Sequence, residues 1–415
     1  MNKKRTMWGG LALLLLVSAG PLLAGGFQLN EAGARAMAQA DAFAARANDA
    51  SAIFFNPAGL AFQPGHSLLL GTTFIAPSVT FYGPIRDAND PGISTVSKLK
   101  NAVFTPINLY AKFQITNDLH AGIGVNNPFG LGTEWDANWV GRFITQKVDL
   151  KTFYVTPTLA YRVTDRLSVG AGFNYVFGSV LIKRAVSITS VAVPESPVVT
   201  LDLTAKNGYG WNVGVKYKVS DDISVGASYR SQVKIDAKGT AAFAPNYPPL
   251  GLPIGDASAS LKLPATGFAG ISYKAMKNLE IEADYQFIGW SSYDTLAIDF
   301  AANPAARSAQ PKLYNDTYIL RLGGEYTMNN LRLRAGYYFD HSPVPTKYLE
   351  PLLPDSDRQG FNIGAGYQLT NNLHIDLSYM FLKGAQRKAE QTDTKFDGTY
   401  NSYVNLLGVN LGYNF

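Results

Sequence analysis

From Leu373 the chain reads LHIDLSYMF, and every second residue is apolar. Leu373, Ile375, Leu377, Tyr379 and Phe381 share one face, and His374, Asp376 and Ser378 share the other. A period of two is that of a β-strand with one apolar side. The alternation recurs in FNIGAGYQL from Phe361, LSVGAGFNYVF from Leu167, WNVGVKYKV from Trp211, ISVGASY from Ile223, LEIEADYQF from Leu279 and LRLRAGYYF from Leu331. Six short polar turns separate such runs: Asn117-Asp118, Thr164-Asp165, Asp221-Asp222, Lys277-Asn278, Asn329-Asn330 and Asn371-Asn372. Six turns join twelve strands, and one strand before the first and one after the last make fourteen. The connections between these hairpins are longer and richer in Pro, Gly and charge, as in residues 128–149, 241–256, 300–313, 342–357 and 387–400.

In water, the apolar faces of so many strands would dock on a second layer. No segment remains to form one, so the apolar face meets lipid. Short turns at one end, long loops at the other and an even strand number predict a fourteen-stranded antiparallel transmembrane β-barrel of the bacterial outer-membrane type, spanning residues 65–415. The barrel must close, because each unpaired backbone group in hydrocarbon costs several kcal/mol. The final strand, VNLLGVNLGYNF, ends on Phe415, with Leu407, Val409, Leu411 and Tyr413 on the same face. Such an ending also resembles the signal read by barrel-assembly machinery.

Composition agrees. There are 39 Gly, 23 Tyr and 23 Phe, only 16% of residues are charged, and beyond the N-terminus no apolar run is long enough for a membrane helix. The absence of cysteine excludes disulfides and thiolate chemistry. Residues 1–24 read as a secretory signal peptide, with Lys3, Lys4 and Arg5 ahead of the apolar Leu11–Val17 and a small Ala24 at the cleavage point. These three cations belong to the leader, so the net charge of +5 carries no nucleic-acid reading. Export and the barrel together place the protein in the outer membrane of a Gram-negative bacterium.

Residues 25–64 have no strand pattern. NEAGARAMAQADAFAARA suits short helices, and NDASAIFFNPAGLA follows, broken by Asn56-Pro57. A fourteen-stranded barrel is too wide for its wall side chains to fill. A compact segment of low charge is therefore expected inside the lumen as a plug, with Phe54, Phe55 and Leu60 as its apolar side. A second irregularity lies after the third strand, LHAGIGVN, where Asn127-Pro128-Phe129-Gly130 follows. Pro128 donates nothing to a ladder and Gly130 permits a bulge. The residues alone leave open whether Pro128 breaks the wall or merely ends a strand.

Three stretches resemble the FadL/TodX outer-membrane transporters of long-chain fatty acids and hydrocarbons. They are GFQLNEAGARAMAQADAFAARANDASAIFFNPAGLA (26–61), GVNNPFGLGTEWDANWVGRF (124–143) and YYFDHSPVPTKYLEPLLPDSDRQGFNIGAGY (337–367). The resemblance covers essentially the whole mature chain. It implies a hatch containing Phe27 and the turn Asn56-Pro57-Ala58, and a kinked third strand whose gap at Asn127, Pro128, Phe129 and Gly130 lets substrate leave sideways into the membrane.

A hydrocarbon tail gains about 0.8 kcal/mol per buried methylene, so a sixteen-carbon chain gains on the order of 10 kcal/mol and a series of weak apolar sites suits its release. Trp135, Trp139 and Phe143, spaced by four, are candidates for capturing amphipathic substrate outside, or for packing their loop. A fatty-acid carboxylate is costly to bury unpaired. Strand parity points Arg230 and Arg321 inward as candidates to meet that carboxylate, while the inward acids Glu280, Glu282, Asp284 and Glu325 are expected to draw most of these charges into a structural ion-pair network in the lower lumen. The partners expected are thus a fatty acid or an aromatic or alkane hydrocarbon, membrane lipid, and the assembly machinery, with the barrel acting as a monomer. A general diffusion porin is the rival reading. The four histidines are far apart in sequence, and His341-Ser342 and the inward His374 are the only faint catalytic candidates. No Walker loop, dinucleotide fingerprint or metal-spaced cluster is present, so neither enzyme activity nor a cofactor is expected.

Overall fold

The computed structural model describes residues 25–83, 95–187, 196–247 and 252–415. The signal-peptide reading falls outside them. The described chain forms one closed antiparallel barrel of fourteen strands. Its strands are β1 (Ser67–Tyr82), β2 (Ile107–Gln114), β3 (Leu119–Asn126 and Gly130–Glu134), β4 (Lys147–Arg162), β5 (Leu167–Ala185) and β6 (Val198–Lys218). They continue with β7 (Ile223–Arg230 and Val233–Ala244), β8 (Gly255–Leu263 and Thr266–Met276), β9 (Leu279–Ile288) and β10 (Thr317–Met328). The last four are β11 (Leu331–Asp340), β12 (Arg358–Gln368), β13 (Leu373–Gly384) and β14 (Gly398–Asn414). All six predicted turns lie between paired strands. The ladder closes where β14 pairs β1 from Ser67↔Asn414 to Tyr82↔Thr399, so the wall has no free edge there.

Two rings of exposed aromatics bound the lipid-facing band. Tyr161, Tyr217, Tyr273, Tyr326, Tyr367 and Tyr413 lie near the short turns, and Phe173, Tyr209, Trp211, Tyr229 and Phe287 lie higher. Between Tyr217 and Tyr209 eight residues run about 26 Å along a strand, which at a tilt of about 40° is about 20 Å of height, on the scale of an outer-membrane apolar band.

Above that band the faces exchange. In β6, Tyr209, Trp211, Val213 and Val215 point outward, whereas Val199, Leu201, Leu203 and Ala205 are buried inside and Asp202, Thr204 and Lys206 are exposed. The switch is a bulge. Val176 pairs with Gly208 and Gly178 with Ala205, so Lys206-Asn207 oppose one residue of β5, and Asn207 has φ 63. β7 makes the same switch across Ser231-Gln232 and β8 across Pro264-Ala265. One unbroken alternation in sequence thus serves lipid below and an apolar interior above.

Residues 25–62 lie against the inward faces of the strands. They form α1 (Ala34–Met37), α2 (Ala52–Phe55) and a 3₁₀ helix (Pro57–Phe62). The N-terminal helices are too short to stand on their own, so wall side chains hold the backbone instead. Asp284 accepts from the N–H groups of Phe43 (2.8 Å) and Ala44 (2.9 Å), and Glu282 from those of Ala45 (2.7 Å) and Arg46 (3.2 Å). Arg35 meets Glu325 at 3.0 Å, Arg46 meets it at 3.3 Å, and Arg334 donates to it at 2.6 Å and to Asp376 at 2.6 Å. The expected ion-pair network exists, but its cations are Arg35, Arg46 and Arg334 rather than Arg230 or Arg321. Gly226 shows why the wall carries inward glycines, since a Cβ there would sit 2.2 Å from the Ala44 carbonyl oxygen.

Candidate functional site

Asn56 begins the 3₁₀ helix in extended backbone, and Pro57 takes the first helical position, where no donor is needed. Its side-chain amide donates to the carbonyls of Ala44 (2.8 Å) and Val215 (3.0 Å) and accepts from Ala58 N–H (3.2 Å). One side chain therefore ties the turn to its own segment and to β6. Apolar packing supports it, with Phe54 and Phe55 in edge contact at 4.9 Å and both within 6.3 Å of Phe268.

The third strand is interrupted where the sequence raised the question. Asn126 pairs with Tyr154 and Gly130 with Lys151, so Asn127, Pro128 and Phe129 oppose only two residues of β4. The Asn127 side chain accepts from Ile107 N–H (2.8 Å) and donates to the Thr152 carbonyl (2.6 Å), spanning the break toward both neighbours. From inside, Leu29 N–H donates to Pro128 O (2.8 Å) and Gly130 N–H to Phe27 O (3.0 Å), an antiparallel bridge centred on Gln28 and Phe129. Above the break, Gly130–Glu134 has a ladder partner in β4 alone. On its other side Lys100 N–H reaches Glu134 O at 2.7 Å, and the Phe104 ring lies over Gly132, where a Cβ would be 2.0 Å from Cζ. Phe104 thus stands where strand pairing is missing.

A cavity of about 410 Å³ lies behind this place, within the usual size of a small-molecule site. Its lining runs from Arg358 on β12, past Leu382 on β13, Val404 on β14 and Ile75 on β1, to Phe104 and to Phe129 and Gly130 at the break. Phe27 lines it and also a second, smaller apolar cavity with Leu203, Ile235 and Tyr314. The Phe27 ring packs edge-on against Trp290 (4.5 Å), Tyr293 (5.6 Å) and Phe129 (6.2 Å). The tip of the N-terminal segment, the break and both cavities therefore meet at one aromatic cluster.

The remaining candidates fall elsewhere. Trp135 and Trp139 stack at 4.2 Å and 9° but are buried, and their indole N–H groups donate to Pro351 O (3.1 Å) and Thr145 O (2.8 Å). The segment that carries them is a series of turns rather than a helix, so the spacing of four does not define a helical face, and half-buried Phe143 packs under the Arg142 guanidinium at 4.4 Å instead. Arg230 donates to Phe54 O (3.0 Å) and lies 4.4 Å above that ring, holding the N-terminal segment. Arg321 is buried 5.8 Å from the Phe268 ring, with Nε and Nη1 unpartnered among the described residues. Neither arginine lines the two cavities. Phe27, Asn127, Phe129 and Gly130 do line the first, whereas two further lining residues, Arg358 and Phe104, escaped the sequence reading. Arg358 begins a strand after DSD and reads as a loop charge, and Phe104 sits in KNAVFTPIN, which has no period.

The tip of the N-terminal segment is held by a carboxyl. Asp355 accepts from Gly26 N–H (3.3 Å) and from the Ser342 hydroxyl (2.5 Å), and neighbouring Asp357 accepts from Ser342 N–H (2.8 Å). Burial pushes the Asp355 carboxyl up to about 7 and that of Asp357 up to about 8. The folded chain therefore binds protons that the unfolded chain releases near pH 4, so the stability they contribute is full below about pH 4 and lost as pH rises through 7 to 8. The heat-unfolding midpoint is expected to fall between about pH 4 and about pH 8, and Asp355→Asn should flatten the part of that fall below about pH 7. A midpoint independent of pH in both proteins would contradict this.

Comparison with known proteins matches this geometry. Residues 15–415 match the family described as outer membrane protein transport protein (OMPP1/FadL/TodX). The chain is 26% identical to the long-chain fatty acid transport protein of Salmonella typhi, covering 98% of both chains. Among solved structures it superposes on a Pseudomonas aeruginosa FadL homologue with a TM-score of 0.81 at 22% identity, covering 94% of this chain and 100% of that one. The Ralstonia pickettii toluene transporter TbuX gives 0.70 at 18%, covering 92% and 98%. With one family matched along nearly its whole length, the protein belongs to the OMPP1/FadL/TodX outer-membrane transport proteins.

Proposed function

We propose that this barrel, which as a family member carries hydrophobic compounds across the outer membrane, takes long-chain fatty acids and releases them sideways through its wall. One observation carries the reading. The cavity connects a cation, Arg358, to an unpaired strand edge past a mostly apolar lining that includes Ile75, Phe104, Phe129, Leu382 and Val404. Arg358 donates to Asp340 at 3.0 Å through one nitrogen, and its side chain stays 20% exposed, which leaves donors for a carboxylate. The tail would lie along Ile75, Val404 and Phe129 and leave between β2 and the upper part of β3, past Phe104. Residues 25–64 act as the hatch that keeps the lumen shut, and the carboxyl groups of Glu282, Asp284 and Glu325 hold its body while the tip at Phe27 responds to ligand. Assembly through recognition of the Phe415 end and action as a monomer belong to the same reading. A general diffusion porin would leave its lumen open to water, and the filled lumen supports the hatch instead.

Aromatic or alkane hydrocarbons are the second reading, since the toluene transporter TbuX shares the fold. A neutral ligand would need no arginine. Arg358→Gln separates the two. Binding of palmitate to the purified barrel is expected to weaken about tenfold, the loss of one charge-assisted pair, while toluene and hexadecane bind as before. Unchanged palmitate binding would move the assignment to the neutral hydrocarbons.

A further inference from the structure

The exchange of faces above the lipid band has a chemical consequence. Where β6, β7 and β8 turn their apolar residues inward, the outward positions no longer have to match lipid or core, and any polar residue would serve. Four of them are lysine: Lys206, Lys234, Lys238 and Lys262, all exposed. Lys234 and Lys262 are direct cross-strand partners, an arrangement of like charges that a sheet facing only water disfavours. Lys206 stands opposite Asp236, but Asp236 is engaged by Lys234 at 3.1 Å. Lys206, Lys238 and Lys262 form no ion pair among the described residues. The height is as telling as the charge. Lys206 lies three residues beyond Tyr209, about 10 Å along the strand, and the exposed aromatics Tyr209, Trp211 and Tyr229 mark the edge of the hydrocarbon.

We infer that this outward face of β6–β8 binds the phosphorylated headgroups of glycolipids in the outer leaflet. Ammonium groups just above the hydrocarbon edge are at the level of headgroup phosphates, and clustered lysines at a bilayer surface attract anionic lipid. Phosphate oxygens shared between Lys234 and Lys262 would relieve their mutual repulsion through charge-assisted hydrogen bonds. The face lacks the apolar centre of a protein–protein interface, and it is flat rather than concave, which suits a headgroup anchored by its own acyl chains better than a free anion. The site is separate from the transport cavity and does not depend on what passes through it.

The test is lipid retention by the full-length purified barrel, read by native mass spectrometry. The lipids added are bis-phosphorylated lipid A and its dephosphorylated form, with inorganic phosphate as competitor. Replacing Lys206, Lys234, Lys238 and Lys262 together by Gln should reduce retention of the phosphorylated lipid by at least about tenfold. Arg at all four positions should restore it, and the dephosphorylated lipid should bind both proteins equally. The single change Lys262→Gln, on an exposed side chain, should give a smaller loss in the same direction and serves if the quadruple variant assembles poorly. Equal retention by the wild type and by the Gln proteins would overturn the assignment. So would full displacement by millimolar phosphate, or a loss of self-association with lipid retention unchanged.

Discussion

Deleting Pro128 is expected to abolish most uptake of a hydrophobic substrate while the barrel still assembles. Three residues, Asn127 to Phe129, face Phe153 and Thr152 on β4, so removing one makes the count equal. The faces then agree as well. Asn126 stays inward beside Tyr154, Phe129 falls inward beside Thr152, and Gly130 keeps its outward place beside Lys151. The change adds ladder bonds and removes a residue without a donor, which favours folding. It also brings the upper part of β3 into line with β2, where pairing now stops at Asn108↔Asn126. Transport of a long-chain fatty acid should fall by at least about tenfold, with binding to the purified barrel changed far less, as expected when release rather than capture is blocked. Phe104→Ala should act the other way. Removing the ring that covers Gly132 opens the break, and dissociation of bound ligand into detergent or lipid should quicken. Normal transport by the Pro128 deletion, in equal amounts of heat-modifiable barrel, would place the exit elsewhere.

Removing residues 25–62 should have an equally large effect of another kind. The segment adds no strand to the closed ladder, since β1 begins at Ser67 and pairs β14 directly. The fourteen strands should therefore still close. What remains inside is a wide lumen lined by Glu282, Asp284, Glu325, Arg334 and Asp376, charges that water would solvate. Single-channel conductance in planar bilayers is expected to rise from near the baseline to the level of an open porin, with weak ion selectivity because Lys112, Lys216, Arg230, Arg321 and Arg334 balance Glu282, Asp284, Glu325 and Asp376 on the wall. A deletion protein that conducts no better than the intact one would mean that the lumen is blocked by something other than this segment.

Much of the architecture was legible because lipid imposes a strict rule on a strand. Each alternating run from Leu119 to Phe415 had to present one apolar face, and Asn-Asn or Asp-Asp turns marked the ends. At Asn127–Gly130 the proline raised the question of a break, but the residues alone did not decide between a broken wall and the end of a strand. The exchange of faces was not legible. Leu201, Leu203, Tyr209 and Trp211 are all odd-numbered and apolar, so nothing in the alternation announces the bulge at Lys206-Asn207 that turns the first two inward and the others outward. Candidate site residues were harder still, because loops set them. Trp135 and Trp139 meet by stacking across a turn and not by helical spacing. Arg230 and Arg321 do point inward as parity required, but the N-terminal segment covers them. Phe104 and Arg358 gain their places from contacts with Gly132 and Asp340 that are distant in sequence.

The path itself can be mapped with a fatty acid that carries a diazirine at its ω end and is irradiated during transport in intact outer membranes. Peptides around Phe104, Ile107 and Phe153, beside the break in the wall, should be labelled, while Ala58, Gln63 and His374, on the periplasmic side of the N-terminal segment, should remain unlabelled. Labelling concentrated at Ala58, Gln63 and His374, with none at Phe104 or Phe153, would mean that the substrate passes down through the lumen and would contradict lateral release.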